Sequence, residues 1–185
     1  VDAHVTTVLF NDQYKMLYNR RELKDVSKMT DKDYTPGGMT ALLDAVGRTI
    51  HKMDMVAGIH RKDKGNKVLF VIITDGEEND SKEYTYADVK KLIKDRQENA
   101  GWEFIFLGAN IDAAAAAENL GIDRDRAVKY KNTGSGVRAN FKAVAELSDS
   151  LAKSGRVSDR WKETVEKDEG DAADKQSAAV TSHRR

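Results

Sequence analysis

The sequence contains no cysteine, only one proline and no apolar run long enough to cross a bilayer. Without cysteine the chain has no disulfide framework, no Cys-ligated zinc and no thiol catalysis, and this composition favours a reducing, cytoplasmic location. A membrane-spanning helix needs about 18 or more consecutive apolar residues, so no membrane is expected as a partner. The 31 basic and 31 acidic side chains cancel, and a balanced charge argues against nucleic acid as a partner.

The residues that are present suit a folded domain followed by a tail. Of the 185 residues, 39% are hydrophobic and 34% are charged, which permits a core beneath a well-solvated surface. Apolar periodicity continues to Gly155 and then decays. We therefore predict one domain over residues 1–155 and a polar, largely disordered tail over residues 156–185, because the tail has almost nothing to bury.

Strand-like and helix-like patterns alternate along the predicted domain. Two β-branched and apolar runs around Asn11-Asp12 predict a hairpin, and residues 19–34 are expected to be irregular. Further apolar runs predict strands, and apolar residues at helical spacing predict helices; the strands are expected over 68–73, 102–107 and 127–130, and the helices over 41–58, 85–100, 113–117 and 136–152. Thr85, with Asp88 three positions on, is expected to cap the second of these helices, and Asp112 the third. The predicted fold class is α/β, with a Rossmann-like, mainly parallel sheet, an antiparallel edge hairpin and helices on both faces.

Two polar clusters fall where ligands bind in such a sheet, outside the carboxyl ends of the parallel strands. Thr40 follows Gly37-Gly38 at the start of the longest predicted helix, and Asp75-Gly76 follows the most apolar strand. A hydroxyl and a carboxylate held by rigid elements make a hard-oxygen site that suits Mg²⁺ or Mn²⁺. Gly37, Gly38 and Gly76 are expected to shape the loops of this site.

Each part of this pattern also has an interpretation without function. Thr40 alone is equally consistent with a helix N-cap, and Asp75-Gly76 is equally consistent with a simple turn. The acidic run over residues 77–80 is more often a solvated loop. Gly134-Ser135-Gly136 lacks the lysine of a phosphate-binding loop and is expected to be a plain connection.

Three segments, taken in order, resemble the von Willebrand factor A (vWA) domain: VTTVLFND at the hairpin, GGMTALLDAV at the first helix and VLFVIITDGEEND at the most apolar strand. The resemblance runs from Val5 to about Leu151. It implies that Thr40 and Asp75 are the threonine and the aspartate of the family's metal-ion-dependent adhesion site (MIDAS). In that family a bound Mg²⁺ keeps an open coordination position, which a carboxylate of the partner protein fills.

The family's first motif is absent from the chain. That motif is a strand ending in Asp-x-Ser-x-Ser, which supplies the other three side chains of the metal site, and it occurs nowhere in the sequence. Because the sequence also begins without Met, we expect an upstream segment carrying the motif in the natural protein. The chain would then lack the central first strand, bind Mg²⁺ weakly or not at all, and associate through an unpaired edge beside Val68–Ile73 or Val5–Phe10.

The resemblance implies a metal-dependent protein-binding module and not an enzyme. It would recognise an acidic group of a protein partner whose identity the sequence does not give. The alternative from another class is a Rossmann-like metal-dependent hydrolase with Asp75 as metal ligand or nucleophile, although no motif places a general base or a phosphate-binding Lys or Arg. A metal-free scaffold, in which Thr40 only caps a helix and Asp75 only forms a turn, is the third possibility.

Overall fold

The computed structural model describes residues 3–30, 32–35, 37–59, 67–158 and 160–167, with backbone but not side chains for 56–59. The chain is of mixed α/β class, with a two-stranded antiparallel sheet, a three-stranded parallel sheet and helices. It divides into two compact units. The first comprises residues 1–65 and 77–92, and the second comprises residues 66–76 and 93–185.

The first unit contains the predicted hairpin. Strands β1 (His4–Phe10) and β2 (Tyr14–Glu22) are antiparallel, and their pairing is irregular between Val5 and Val8. β2 continues through residues 19–22, for which the sequence predicts irregular structure. Pairing with β1 supplies hydrogen bonds that the polar composition of this segment does not reveal, and tertiary context of this kind overrides strand propensity.

The first unit also contains helix α1 (Leu42–Ile59) and the start of helix α2 (Tyr86–Ala100). α1 forms as predicted because its apolar residues recur at three- and four-residue spacing. Four of them are buried: Leu42, Leu43, Val46 and Ile50. The predicted cap of α2 is confirmed, since Thr85 and Asp88 exchange hydrogen bonds between side chain and backbone in both directions.

The second unit is built on a parallel sheet. Its strands β3 (Leu69–Thr74), β4 (Glu103–Gly108) and β5 (Ala127–Lys129) lie in the order β3-β4-β5. Val71 lies opposite Ile105, and Leu107 lies opposite Val128. β4 is the central strand and the most buried one, as its continuous apolar sequence predicts.

Two helices follow the strands of the second unit. Helix α3 (Ala113–Asn119) is capped as predicted, because the Asp112 carboxylate accepts the Ala115 N–H at 3.0 Å. Helix α4 (Gly134–Ser154) begins earlier than predicted, since the Thr133 hydroxyl accepts the Gly136 N–H at 3.1 Å and caps it. Gly134-Ser135-Gly136 is therefore the first turn of α4, not a plain connection.

The buried face of α4 is rotated from the predicted one. The sequence places Phe141, Val144, Leu147 and Leu151 on one apolar face, but the Phe141 side chain is 57% exposed. The buried residues of α4 are Gly136, Asn140, Ala143, Leu147 and Leu151. Only glycine fits at position 136 on that face, because a Cβ there would overlap the Lys131 carbonyl oxygen.

The core of the second unit extends beyond the predicted domain end at residue 155. Val157, Trp161 and Val165 are buried in the cluster formed by β4, β5 and α4, and the Trp161 indole N–H donates to the Asp125 carbonyl at 3.2 Å. The predicted polar tail is therefore wrong for residues 156–158 and 160–167, while residues 168–185 lie outside the described residues. The three apolar side chains recur every four residues, a helical signal in an otherwise polar segment.

The hairpin differs from its predicted place at the edge of the parallel sheet. Among the described residues, β1 pairs only with β2, and β3 pairs only with β4, so each of the two sheets has one free edge on an apolar strand. These are the strands for which the sequence predicts unpaired edges. No helix in the described part of the chain is both long and apolar enough to cross a membrane.

Candidate functional site

The loop before α1 is shaped by two glycines in the first unit. Gly37 and Gly38 have φ values of +137° and +89°, a region that residues with a Cβ rarely adopt. The Asn11 side-chain amide donates to the Gly37 carbonyl at 2.9 Å. A Cβ on Gly38 would lie 2.6 Å from Asp12 Oδ1. The hairpin turn therefore packs directly on the loop, and only glycine fits at Gly38.

Thr40 is fixed through its backbone. Its N–H donates to Asn79 Oδ1 at 2.7 Å, and its carbonyl accepts the Asn79 N–H at 3.0 Å. Its hydroxyl forms no hydrogen bond with any described residue. The first intrahelical bond of α1 runs from the Ala45 N–H to the Ala41 carbonyl, so Ala41 occupies the N-cap position. Thr40 precedes the cap, and its hydroxyl does not cap the helix.

The N–H groups that begin α1 are bound instead by the loop that follows β3. Because Ala41 has no side-chain acceptor, the free N–H groups of the first turn need partners from elsewhere. The Leu43 N–H donates to Glu78 Oε2 at 2.9 Å, and the Asp44 N–H donates to Ser81 Oγ at 3.1 Å. A carboxylate at a helix N-terminus is also stabilised by the helix dipole. Glu78 therefore caps α1 from 35 residues away in sequence.

Glu78 also organises its own loop. Its carboxylate accepts the backbone N–H groups of Asp80 and Ser81 at 3.0 and 2.7 Å, and the Ser81 hydroxyl donates to it at 2.8 Å. Residues 77–80 form a loop, as the sequence predicts, and Glu77 and Asn79 are exposed. The loop is not merely solvated, however, because Glu78 and Asn79 both bind the start of α1. Nothing local distinguishes Glu78 from Glu77 in the sequence, so pattern alone could not identify it.

A second carboxylate binds the same loop from the side of the helix. Asp44, on the first turn of α1, is 6% exposed. It accepts three backbone N–H groups, from Lys82, Glu83 and Tyr84, at 2.9–3.0 Å. The sequence does carry a signal here, which is a charged residue between Leu43 and Ala45 on a buried helix.

The environment of Asp44 favours the ionised form. Burial is the largest single influence and opposes ionisation, but the three backbone donors and the nearby Arg48 together outweigh it, so the pKa of Asp44 is lowered. Arg48 also forms a two-point ion pair with Glu83, at 2.8 and 2.6 Å. This bond lowers the pKa of the exposed Glu83 carboxyl as well. The carboxyl groups of Asp44 and Glu83 therefore both favour the ionised form.

Asp75 lies in the second unit, directly after β3. The turn that carries it is closed by Thr74, whose hydroxyl donates to the Gly76 carbonyl at 2.9 Å and accepts the Gly76 N–H at 3.3 Å. The Asp75 carboxylate takes no part in this turn. It is exposed and accepts one hydrogen bond, from the Asn132 amide to Oδ2 at 3.2 Å. Asn132, which follows β5, had no distinguishing signal in the sequence.

The predicted site residues thus divide between the units. Thr40, Gly37 and Gly38 belong to the first unit, whereas Asp75 and Gly76 belong to the second. That Thr40 and Asp75 converge on one metal ion stays a prediction. Within the described ranges there is no cluster of three or more His, Cys, Asp or Glu side chains arranged to hold a metal ion.

Comparisons with known proteins give no relative. No family model matches the chain, and no curated protein or solved structure matches it. Any statement about function therefore depends on the motifs of the sequence and on the geometry of the two loops.

Proposed function

We propose that the chain is a metal-dependent protein-binding module of the vWA type, in which Thr40 and Asp75 contribute to a Mg²⁺ or Mn²⁺ site. The metal would bind a carboxylate of a partner protein through an open coordination position, and no bond would be made or broken. Thr40 would supply a hydroxyl oxygen, and Asp75 would supply a carboxylate oxygen directly or through water. Both are ligands that Mg²⁺ prefers.

The observation that carries this proposal is that, among the described residues, neither side chain performs the task that the scaffold alternative assigns to it. The scaffold alternative requires the Thr40 hydroxyl to cap α1, but Glu78 and Ser81 perform that task. It also requires the Asp75 carboxylate to close a turn, but the Thr74 hydroxyl closes it. Two polar groups beside the ends of rigid elements, neither of which caps a helix or closes a turn, are suited to binding a ligand.

The finer description of the fold belongs to the same proposal. A Rossmann-like vWA sheet would hold one further strand between β1 and β3, and this chain does not supply it. The support is that β1 and β3 each have a free edge within the described residues, as a missing strand between them requires. Asp75 at the carboxyl end of β3 would then lie near the end of that strand, where ligands of parallel sheets bind.

The proposal is tested by titrating the protein with Mn²⁺ and measuring bound metal by electron paramagnetic resonance. We expect weak binding, with Kd of about 1 mM, because two protein groups leave most of the metal shell to water. Thr40→Val removes the hydroxyl at nearly constant volume and should abolish binding, whereas Thr40→Ser should retain it. Asp75→Ala should also abolish binding.

The matched control is Asp123→Ala. Asp123 is an exposed carboxylate of the second unit whose side chain makes no capping bond. Its removal changes the net charge as Asp75→Ala does, and it should leave the Mn²⁺ affinity unchanged. Equal affinity in the wild type, Thr40→Val and Asp75→Ala would refute the proposal.

A further inference from the structure

The edge of β3 that faces away from β4 carries a regular row of unpaired backbone groups. The carbonyls of Val68 and Thr74 accept hydrogen bonds from the β4 side. Because successive residues of a strand point to opposite sides, the N–H and C=O groups of Leu69, Val71 and Ile73 point to the other side. Among the described residues no strand pairs with them there. Six main-chain groups are therefore available to a further strand.

The strand β3 itself lacks the sequence and pairing features that normally protect a sheet edge. β3 is uncharged, contains neither proline nor glycine, and pairs with β4 without any register shift. The free edge of β1 differs, because its pairing is irregular between Val5 and Val8. Irregularity of that kind bends a strand and blunts its edge. β3 is thus the strand better suited to binding another chain.

We infer that β3 pairs with β3 of a second copy of this chain in an antiparallel, two-fold symmetric arrangement centred on Val71. In this register Val71 lies opposite its own copy, and Leu69 lies opposite Ile73 of the second molecule. Since these are the residues that point outward, every opposed pair exchanges two N–H···O=C bonds. A centre on Phe70 or Ile72 would set Ile73 or Leu69 opposite a residue outside β3, so only the centre on Val71 pairs all six groups among themselves.

Charge selects the same register independently. Lys67 and Asp75 are both exposed and lie four residues either side of Val71. The proposed pairing places each Lys67 opposite Asp75 of the other molecule, on the same face of the sheet. Opposite charges directly across two strands stabilise pairing, and like charges oppose it. A parallel pairing of two β3 strands would not bring these residues together. The net charge of the chain is zero, so two copies do not repel each other through their overall charge.

The inference goes beyond the proposed function and is tested without metal. Sedimentation equilibrium of the protein in EDTA, over a wide concentration series, should show a monomer–dimer equilibrium that weakens as salt is added. Lys67→Asp alone, and Asp75→Lys alone, each replace two attractive contacts with two repulsive ones. Each should weaken the dimer by about tenfold.

The decisive variant is the double exchange, Lys67→Asp with Asp75→Lys, which restores opposite charges and should recover the affinity to within about threefold of wild type. Lys142→Asp is the matched control, because it makes the same charge change at an exposed position of α4 and should not alter the dimer. Melting curves check that each variant is folded.

Three results would overturn the inference: a monomer at every concentration, a dimer that the single variants do not weaken, or a double variant no tighter than the singles. A dimer that persists unchanged in all variants would point to another surface, such as the edge of β1. Mn²⁺ binding is measured separately, so failure of the dimer and failure of the metal site are distinguished.

Discussion

The two loops that carry the candidate ligands are held in opposite ways. In the first unit the backbone around Thr40 is fixed by a network of side chains, in which Glu78, Asn79 and Asp44 together accept hydrogen bonds from seven backbone N–H groups. In the second unit Asp75 directly follows the apolar, partly buried strand β3, and among the described residues its carboxylate has one hydrogen-bond partner. Hydrogen bonds fix the position of the first loop, whereas the packing of the apolar strand β3 fixes the position of the second. The following predictions test that contrast.

The largest effect is expected from removing the carboxylate that holds the first loop. Asp44→Ala leaves three backbone N–H groups without their acceptor, and hydrogen bonds to a charged group are worth about 1.5–3 kcal/mol each before relaxation. We expect a loss of about 3 kcal/mol in the free energy of unfolding, measured in urea. Asp123→Ala, at an exposed carboxylate without such bonds, should change it by less than about 0.5 kcal/mol.

The contribution of Asp44 should depend on pH in a defined direction. Because its pKa is lowered in the folded state, its stabilisation is fully present above the unfolded-state value near 3.8 and is lost as the pH falls through the folded-state value. The stability difference between wild type and Asp44→Asn should be constant from neutral pH to about pH 4 and then shrink. A difference that grows on acidification would contradict the assigned hydrogen bonds.

The next effect is expected at Gly38. Alanine at position 38 would combine an unfavourable positive φ with a clash between its Cβ and Asp12 Oδ1. We therefore expect a loss of about 2–3 kcal/mol in the free energy of unfolding. Gly101 has φ of +66° and open space around its Cβ position. Gly101→Ala therefore measures the cost of the positive φ alone, which we expect to be about 1 kcal/mol. Equal losses in the two variants, compared by urea unfolding, would show that the hairpin turn does not press on the loop.

An opposite sign is expected in the second unit, at Asn140. This side chain is fully buried in α4, and neither atom of its amide has a hydrogen-bond partner among the described residues. Replacing an unsatisfied amide with an apolar group of the same branching removes a desolvation cost. Asn140→Leu should therefore raise the free energy of unfolding by about 1 kcal/mol. A loss of similar size in the free energy of unfolding would show that the amide is hydrogen-bonded to a group outside the described residues.

The distinction between local and distant contacts explains what could be predicted from the sequence. The caps of α2 and α3 were predictable because Thr85 bonds to Asp88, and Asp112 to Ala115, within one helical turn. Glu78 reaches Leu43 across 35 residues. No residue pattern records such a contact, because any of the acidic residues in the run could have made it.

The same reasoning applies to the end of the domain. Composition predicted a polar tail after residue 155, since polar residues outnumber apolar ones there. Trp161 is nevertheless among the largest fully buried side chains of the described residues. The four-residue spacing of Val157, Trp161 and Val165 was the available signal, but the average composition of the segment does not show it because the neighbouring residues are polar. Thr40 and Asp75 could be selected as candidates because each borders a strongly apolar element, α1 or β3, where a polar residue stands out.

The smallest effect is expected at the only side chain that contacts the Asp75 carboxylate within the described residues. Asn132 is exposed, and its bond to Asp75 is long, so Asn132→Ala should change stability by less than about 0.5 kcal/mol. This result, set beside Asp44→Ala in the same urea series, would sharpen the contrast between the two loops. A loss above about 1 kcal/mol would mean that the second loop also depends on polar contacts.

The central claim is the proposal that the hydroxyl of Thr40 and the exposed carboxylate of Asp75 bind one metal ion. Paramagnetic broadening by substoichiometric Mn²⁺ in a two-dimensional amide NMR spectrum tests it directly, because broadening falls steeply with distance from the ion. The account predicts that the amide signals of Thr40, Asp75 and Gly76 disappear together at the lowest Mn²⁺ concentration, and that Asp75→Ala abolishes the broadening at Thr40. Broadening at one loop with the other unaffected would contradict it.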